Sequence, residues 1–122
     1  MNCPKCNHYM KSIDYKGVQI NRCSSCYGLW FDDFELKDLK KLAGSEVVDI
    51  GDIEVGAEHN KNTRPKCPKC QKTMMPEIGG GRSPIQFERC QECNGVYLDA
   101  GEFRGFKKLT LGEYFKSFFN RD

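Results

Sequence analysis

The eight cysteines of this 122-residue chain form four Cys-x-x-Cys pairs. Two sulfurs separated by two residues can reach the same ion from one tight turn, and a second pair completes a tetrahedral site of four thiolates. Such a turn is called a knuckle below. The spacing therefore predicts two metal sites, one on Cys3, Cys6, Cys23 and Cys26 and the other on Cys67, Cys70, Cys90 and Cys93.

Zinc is the metal expected at both sites, because closed sets of four thiolates are typical of structural zinc. Iron is the alternative, since it suits the same ligands. Four disulfides or a thioredoxin-like redox motif fit the pattern less well, because the N-terminus lacks the apolar core of a signal peptide and no βαβ context surrounds the pairs. His8 and His59 are not needed as ligands. A closed site leaves no coordination position for substrate or water, which argues against metal catalysis.

The two halves of the chain repeat each other beyond the cysteines. After the second pair they run Tyr-Gly-Leu-Trp-Phe-Asp-Asp-Phe-Glu-Leu and Asn-Gly-Val-Tyr-Leu-Asp-Ala-Gly-Glu-Phe. The equivalent residues are Arg22 and Arg89, Gly28 and Gly95, Trp30 and Tyr97, Asp32 and Asp99, and Glu35 and Glu102. A repeat of this kind indicates two copies of one structural unit. A unit of about 40 residues is too small to rely on an apolar core alone, so metal is expected to stabilise it.

The residues between the knuckles predict a β-hairpin in each unit. Tyr9 to Tyr15 and Val18 to Arg22 flank Lys16-Gly17, and Thr73 to Ile78 and Ile85 to Arg89 flank a glycine-rich turn. A short helix is expected after each second knuckle, at about 33–43 with Leu36, Leu39 and Leu42 on one side, and from about Ala100 with Phe103 and Phe106 inward. Asp32 and Asp99 are the expected N-cap residues of these helices. Glu35 and Glu102, three residues further on, have the spacing of the second member of a capping box. Trp30 and Tyr97 are expected to cover the metal site and pack on the hairpin.

These elements predict a small metal-stabilised α+β fold of two tandem zinc ribbons, each a β-hairpin plus two Cys-x-x-Cys knuckles followed by a short helix. The expected organisation is a first ribbon with its helix at 1–43, an acidic and polar linker at 44–65, and a second ribbon with its helix at 66–108. Within the linker, residues 47–55 either form a strand or dock on a ribbon, and the rest is expected to be flexible.

Residues 109–122 predict a C-terminal aromatic amphipathic helix. Leu111, Tyr114, Phe115, Phe118 and Phe119 recur at the spacing of one helical face. This stripe either supplies core to the ribbons or forms an interface, as a homodimer contact or as an anchor in a groove of a partner.

The formal net charge of +2 is unevenly distributed. Residues 44–60 carry five acidic and no basic residues, whereas residues 61–122 carry an excess of five positive charges. No apolar run approaches the roughly 18 residues of a membrane span, so no membrane association is expected and the cytoplasm is the expected location. The basic candidates for contact with a partner are Lys5, Lys11, Lys16, Arg22, Lys66, Lys69, Lys72, Arg82 and Arg89, and the aromatic candidates are Phe115, Phe118 and Phe119.

The full motif, Cys-x-x-Cys followed by Arg-Cys-x-x-Cys-x-Gly-x-(Trp/Tyr)-(Phe/Leu)-Asp-x-x-Glu, resembles the transcription-factor-IIB-type zinc ribbon family of small, mainly bacterial proteins. The resemblance spans residues 2–43 and 66–106 and implies a ribbon or treble-clef-like unit with one zinc ion on each set of four cysteines. The chain departs from the family pattern at Phe34, where glycine is frequent, and at Tyr97, where tryptophan is usual. The family name implies a role in transcription.

The function expected from these features is non-enzymatic binding, with contacts to RNA polymerase or nucleic acid. The alternatives are a protein–protein adaptor that uses the C-terminal aromatic helix and a thiol-based redox or zinc sensor. An enzyme with a small-molecule substrate is not expected, because the sequence shows no nucleophile–base set, no phosphate loop and no open metal site.

Overall fold

A computed structural model describes residues 1–59, 61–62, 64–79 and 85–107. Its strands are β1 (Met10–Tyr15), β2 (Val18–Cys23), β3 (Leu29–Phe31), β4 (Met75–Gly79), β5 (Ile85–Arg89) and β6 (Val96–Leu98). Its α-helices are α1 (Glu35–Lys41), α2 (Ile53–His59) and α3 (Glu102–Lys107), and a 3-10 helix spans Ser45–Val48. No described helix is long and apolar enough to cross a membrane. The predicted C-terminal helix and Arg82 lie outside the described residues.

The two hairpins form where the alternating residues predict them, and both belong to one antiparallel sheet in the order β1-β2-β3-β6-β5-β4. Residues 1–43, here unit 1, contribute the first three strands, and residues 66–108, here unit 2, contribute the last three. The units meet at β3 and β6, where Trp30 lies opposite Tyr97. The two tandem ribbons that the sequence predicts are present, and the structure joins them edge to edge about this central pair.

The two faces of the sheet bury different kinds of residues. On β3, Leu29 and Phe31 belong to an aliphatic and aromatic core, while Trp30 between them belongs to a second core that contains the cysteines. On β6, Val96 and Leu98 alternate with Tyr97 in the same way. All six side chains are buried because these strands are covered on both faces.

The two predicted helices form, as α1 and α3, and their apolar sides cover the face of the sheet that carries Leu29 and Phe31. Leu36 and Leu39 of α1 are buried, and Leu42 packs against the same core. Phe103 and Phe106 of α3 are also buried, and the rings of Phe31 and Phe103 lie 5.6 Å apart. Both helices therefore anchor the two units on one shared core.

The predicted caps of these helices need correction. The Glu35 carboxylate accepts a hydrogen bond from the backbone N–H of Asp32 at 2.8 Å, which is half of the expected capping box. The N-cap position of α1 is Phe34, in the left-handed conformation and without a side-chain cap. The carboxylates of Asp32 and Asp99 instead bind lysines of the opposite unit.

The segment between the units is more ordered than the predicted linker. Residues 47–55 do not form a strand, and the alternative of docking on a ribbon is the one found. Asp49 is buried, and its carboxylate accepts hydrogen bonds from the backbone N–H groups of Gly101 at 2.9 Å and Arg104 at 3.0 Å. Gly56 of α2 lies so close to Ala100 that a Cβ would come within 2.0 Å of its carbonyl oxygen. The segment thus caps α3 and packs on unit 2.

Candidate metal centres

Four knuckles of the same geometry position the cysteines. In each, the N–H of the first cysteine donates to the carbonyl oxygen five residues further on, at 2.7–3.0 Å. The residue after each second cysteine has a positive φ, and these residues are Asn7, Tyr27, Gln71 and Asn94. This left-handed residue reverses the chain so that both sulfurs of a knuckle face the same point.

The eight sulfurs converge in two groups of four, as predicted. Within each group the Sγ atoms all lie within 4.8 Å of one another, and all eight cysteines are free thiols. The Cys3–Cys26 and Cys67–Cys93 Sγ distances are both 3.8 Å. Zinc–sulfur bonds of about 2.3 Å in a tetrahedron place the sulfurs about 3.8 Å apart. The donor sets therefore fit two zinc ions, and His8, which is exposed, belongs to neither set.

The proton chemistry of the thiols also favours a bound cation. The hydrogen bond with Cys3, together with burial, raises the pKa of the Cys26 thiol, whereas the same hydrogen bond lowers the pKa of Cys3 to about 4. Burial raises the pKa of Cys6 to about 11. Adjacent thiols thus oppose one another's ionisation, and a divalent ion removes the conflict by binding all four as thiolates.

Each metal site is completed by an aromatic residue from the other unit. Tyr97 of unit 2 reaches Gly28 beside the second knuckle of unit 1, where a Cβ would meet the Tyr97 hydroxyl at 1.9 Å. Trp30 of unit 1 occupies the corresponding place against Gly95, where a Cβ would lie 2.2 Å from the indole ring. The repeated glycines are therefore needed to admit these rings. The expectation that Trp30 and Tyr97 cover the metal sites is confirmed, but each covers the site of the opposite unit.

The lysines of the two Cys-Pro-Lys-Cys knuckles also cross between units. The Lys5 ammonium lies 2.7 Å from Glu88 and 2.5 Å from Asp99, and it donates to the carbonyl oxygen of His59 at 3.0 Å. The Lys69 ammonium lies 2.8 Å from Asp32. The Lys5 side chain is only 1% exposed, whereas that of Lys69 is 46% exposed. The same motif thus makes a buried ion pair in one direction and a solvent-exposed pair in the other.

Burial also changes the acidity of the carboxyls around Lys5. It raises the pKa of Asp99 to about 7, against the opposing effect of the Lys5 charge, and it raises the pKa of Glu88. Two carboxyl groups share one ammonium there, so a proton is retained on the carboxyls to higher pH than usual.

The predicted contact residues differ in their exposure to solvent and in the partners that they already have within the chain. The prediction for Lys5 is wrong, because its side chain is enclosed between the units. Arg22 donates to the carbonyl oxygen of Val48 at 3.1 Å, and Arg89 pairs with Glu77 at 3.0 Å. The predicted lysines that are exposed to solvent are Lys11, Lys16, Lys66, Lys69 and Lys72. For the exposed lysines, for Arg22 and for Arg89, contact with a partner stays a prediction, and Arg82, Phe115, Phe118 and Phe119 lie outside the described residues.

Two acidic residues have structural roles that the sequence patterns do not predict. Glu88 faces Lys5 from β5, and Asp49 caps α3 from the intervening segment. The only sequence signal for Glu88 is that it breaks the resemblance between the units, since Asn21 stands at the equivalent position. No local pattern indicates Asp49, because its partners lie more than fifty positions away.

The fold and the donor sets define the class of the protein: a metal-stabilised α+β protein with two zinc sites of four cysteines each. A family model described as "Transcription factor zinc-finger", the transcription-factor-IIB-type zinc ribbon, matches residues 2–42 and 66–108. The chain belongs to this zinc ribbon family, whose members are typically non-catalytic. No curated protein and no solved structure shows significant similarity to the chain.

Proposed function

We propose that the protein is a non-enzymatic, zinc-dependent binding protein of the cytoplasm that contacts RNA polymerase or nucleic acid. The observation that carries this proposal is the match of both units to a transcription-factor zinc ribbon family. Closed sites of four thiolates support it, because such sites stabilise the fold and leave no coordination position for a reacting molecule. A reducing compartment is proposed because metal-binding thiols persist there.

The surface proposed for contact surrounds the first knuckle of unit 2. Arg64, Lys66 and Lys72 are exposed there, and none of them has an acidic partner within the described part of the chain. A cleft of about 550 Å³ opens beside them between the first knuckles of the two units, with Pro4, Pro68 and Lys66 among its lining residues. Arg64 is not among the candidates that the sequence indicates. A positively charged surface beside a cleft suits an acidic protein segment or a phosphate backbone.

Capture from native cytosol, with and without nuclease, tests this proposal. The zinc-loaded full chain serves as bait, and mass spectrometry identifies what is retained. Recovery of RNA polymerase subunits, or of material that nuclease removes, is the expected result. Recovery of a single nuclease-resistant protein unrelated to transcription would contradict the proposal and favour an adaptor.

Charge reversal then locates the surface. The double variant K66E/K72E should weaken retention, and for a nucleic-acid partner it should make the dependence of log K on log salt shallower by about two, because two fewer phosphates are neutralised. The single variant Lys66→Glu is compared with Lys41→Glu as its charge-matched control, because Lys41 is exposed on α1 on the other face of the sheet. An equally weak retention of both single variants would mean that only net charge matters and that this surface does not bind the partner.

A further inference from the structure

The two metal sites differ in how the aromatic residue from the opposite unit meets the sulfurs. Tyr97 is fully buried, and its hydroxyl oxygen lies 3.2 Å from the Sγ atom of Cys3 and 3.4 Å from that of Cys26. A buried hydroxyl needs a hydrogen-bond partner, and these two sulfurs are the partners that the fold provides. Once both cysteines are thiolates they can only accept, so the Tyr97 hydroxyl is the donor and its hydrogen is shared between them.

Trp30 occupies the equivalent position over unit 2 but directs its hydrogen-bond donor elsewhere. Its indole N–H donates to the carboxylate of Asp32 at 3.1 Å. Trp30 therefore contributes apolar cover to the second site and no hydrogen bond to its thiolates. The ligands of this site are also less enclosed, because Cys93 is only half-buried, whereas its counterpart Cys26 is buried.

We propose that Tyr97 is a positioning residue for the first metal site, and that its hydroxyl makes this site retain zinc longer than the second. The reason is electrostatic. A hydrogen bond to a metal-bound thiolate withdraws negative charge from the sulfur, which lowers its attraction for protons and its reactivity towards electrophiles. Residues that hold metal ligands in this way typically change metal affinity 10- to 100-fold when replaced.

This arrangement makes each unit dependent on the other, with unequal consequences. The hydroxyl that protects Cys3 and Cys26 comes from β6, so the first site is complete only when β3 and β6 are paired. Among the described residues, no side-chain O–H or N–H donor of this kind reaches the second site, which is therefore the one at which zinc leaves first. Exchange or oxidation of zinc-bound thiols should therefore begin at Cys67, Cys70, Cys90 and Cys93.

The test is site-resolved alkylation of the zinc-loaded full chain. Excess N-ethylmaleimide is added together with a zinc chelator, and peptide mass spectrometry follows each cysteine with time. In the unmodified protein, the cysteines of the second site should react first. Tyr97→Phe keeps the ring and removes only the hydroxyl, so it should accelerate the four cysteines of the first site at least tenfold and leave those of the second site within about twofold.

Tyr15→Phe is the matched control, because the Tyr15 hydroxyl donates to the carbonyl oxygen of Ala43, away from both metal sites. This variant should leave both sets of cysteines unchanged. Equal rates at the two sites of the unmodified protein would overturn the proposal without any variant. An unchanged first site in Tyr97→Phe would also overturn it, as would equal acceleration of both sites, which would mean that the hydroxyl serves only the general packing.

Discussion

At the scale of single residues, Lys5 and Lys69 show how two identical motifs acquire different roles. Both stand in a Cys-Pro-Lys-Cys knuckle and both reach the aspartate of the opposite unit. Lys5 is enclosed by α2, whose last residue, His59, supplies a carbonyl acceptor, while Lys69 remains in solvent. Removing one member of a buried ion pair costs far more stability than removing one member of a solvent-exposed pair, because the remaining buried charge has neither water nor a partner.

Replacement of these lysines should therefore have unequal effects on stability. Lys5→Ala leaves Glu88 and Asp99 buried without a cation and should lower the free energy of unfolding by about 3 kcal/mol. Lys69→Ala should lower it by less than about 1 kcal/mol. Urea denaturation of the zinc-loaded proteins, followed by circular dichroism, measures both. Similar decreases in the two variants would contradict the burial of Lys5.

The carboxyl of Asp99 gives stability a dependence on pH with a definite sign. Its pKa is raised by burial from an ordinary 3.8 to about 7, so between these values the folded chain holds a proton that the unfolded chain has released. The contribution of this group to stability is complete below the lower value and is lost as the pH rises through about 7. Glu88 and Lys5 face the same carboxyl, where the Lys5 charge lowers the pKa of Asp99 and the Glu88 charge raises it, both with less effect than burial.

Asp99→Asn should remove this dependence. Between about pH 6 and pH 8, where the folded Asp99 loses its proton, the stability of the zinc-loaded variant should decline less with rising pH than that of the unmodified protein. Asp33→Asn, at an exposed aspartate, is the control and should keep the original slope. The readout is the free energy of unfolding at several pH values, and parallel curves for the Asp99 variant and the unmodified protein would refute the prediction.

At the scale of elements, the segment between the units acts as part of the fold. The carboxylate of Asp49 satisfies backbone N–H groups at the start of α3, a role that the sequence suggests for Asp99. Arg104 reinforces the contact by donating to the carbonyl oxygen of Gly51 at 2.6 Å. The start of α3 is therefore held by a residue far earlier in the chain rather than by its own flank.

Asp49→Ala should consequently destabilise the protein by about 1–2 kcal/mol, because it removes the cap of α3. Glu46→Ala removes the same charge from the same segment at an exposed position and should have little effect. Thermal unfolding of the zinc-loaded variants distinguishes the two. A flexible linker would instead make both substitutions equally harmless.

The ligands and hairpins were predictable because their signals are local. Four fixed spacings identify the cysteines, and alternation around Lys16-Gly17 predicts β1 and β2. The strands β3 and β6 were not predicted, because three residues buried on both faces show no periodicity. The crossing of Trp30 and Tyr97 between units follows from that missed pairing, since a repeat in sequence does not reveal which copy completes which site.

At the scale of the whole molecule, the repeated residues outside the cysteines join the two units. The glycines admit the rings, the rings close the sites, and the lysines bind the aspartates, in each case from one unit to the other. These contacts between the units accompany a single continuous sheet, and they bring both cysteine sites into one buried cluster. The proposed function uses the outer surface of the same assembly, which zinc holds in shape.

Native mass spectrometry of the full chain tests for the two zinc sites, because it counts and identifies the metal ions on the folded protein. The expected result is one chain with two zinc ions and eight unoxidised cysteines. Iron in place of zinc, a single metal ion on the folded chain, or a metal-free chain with its cysteines in disulfides would contradict the account of two paired zinc ribbons.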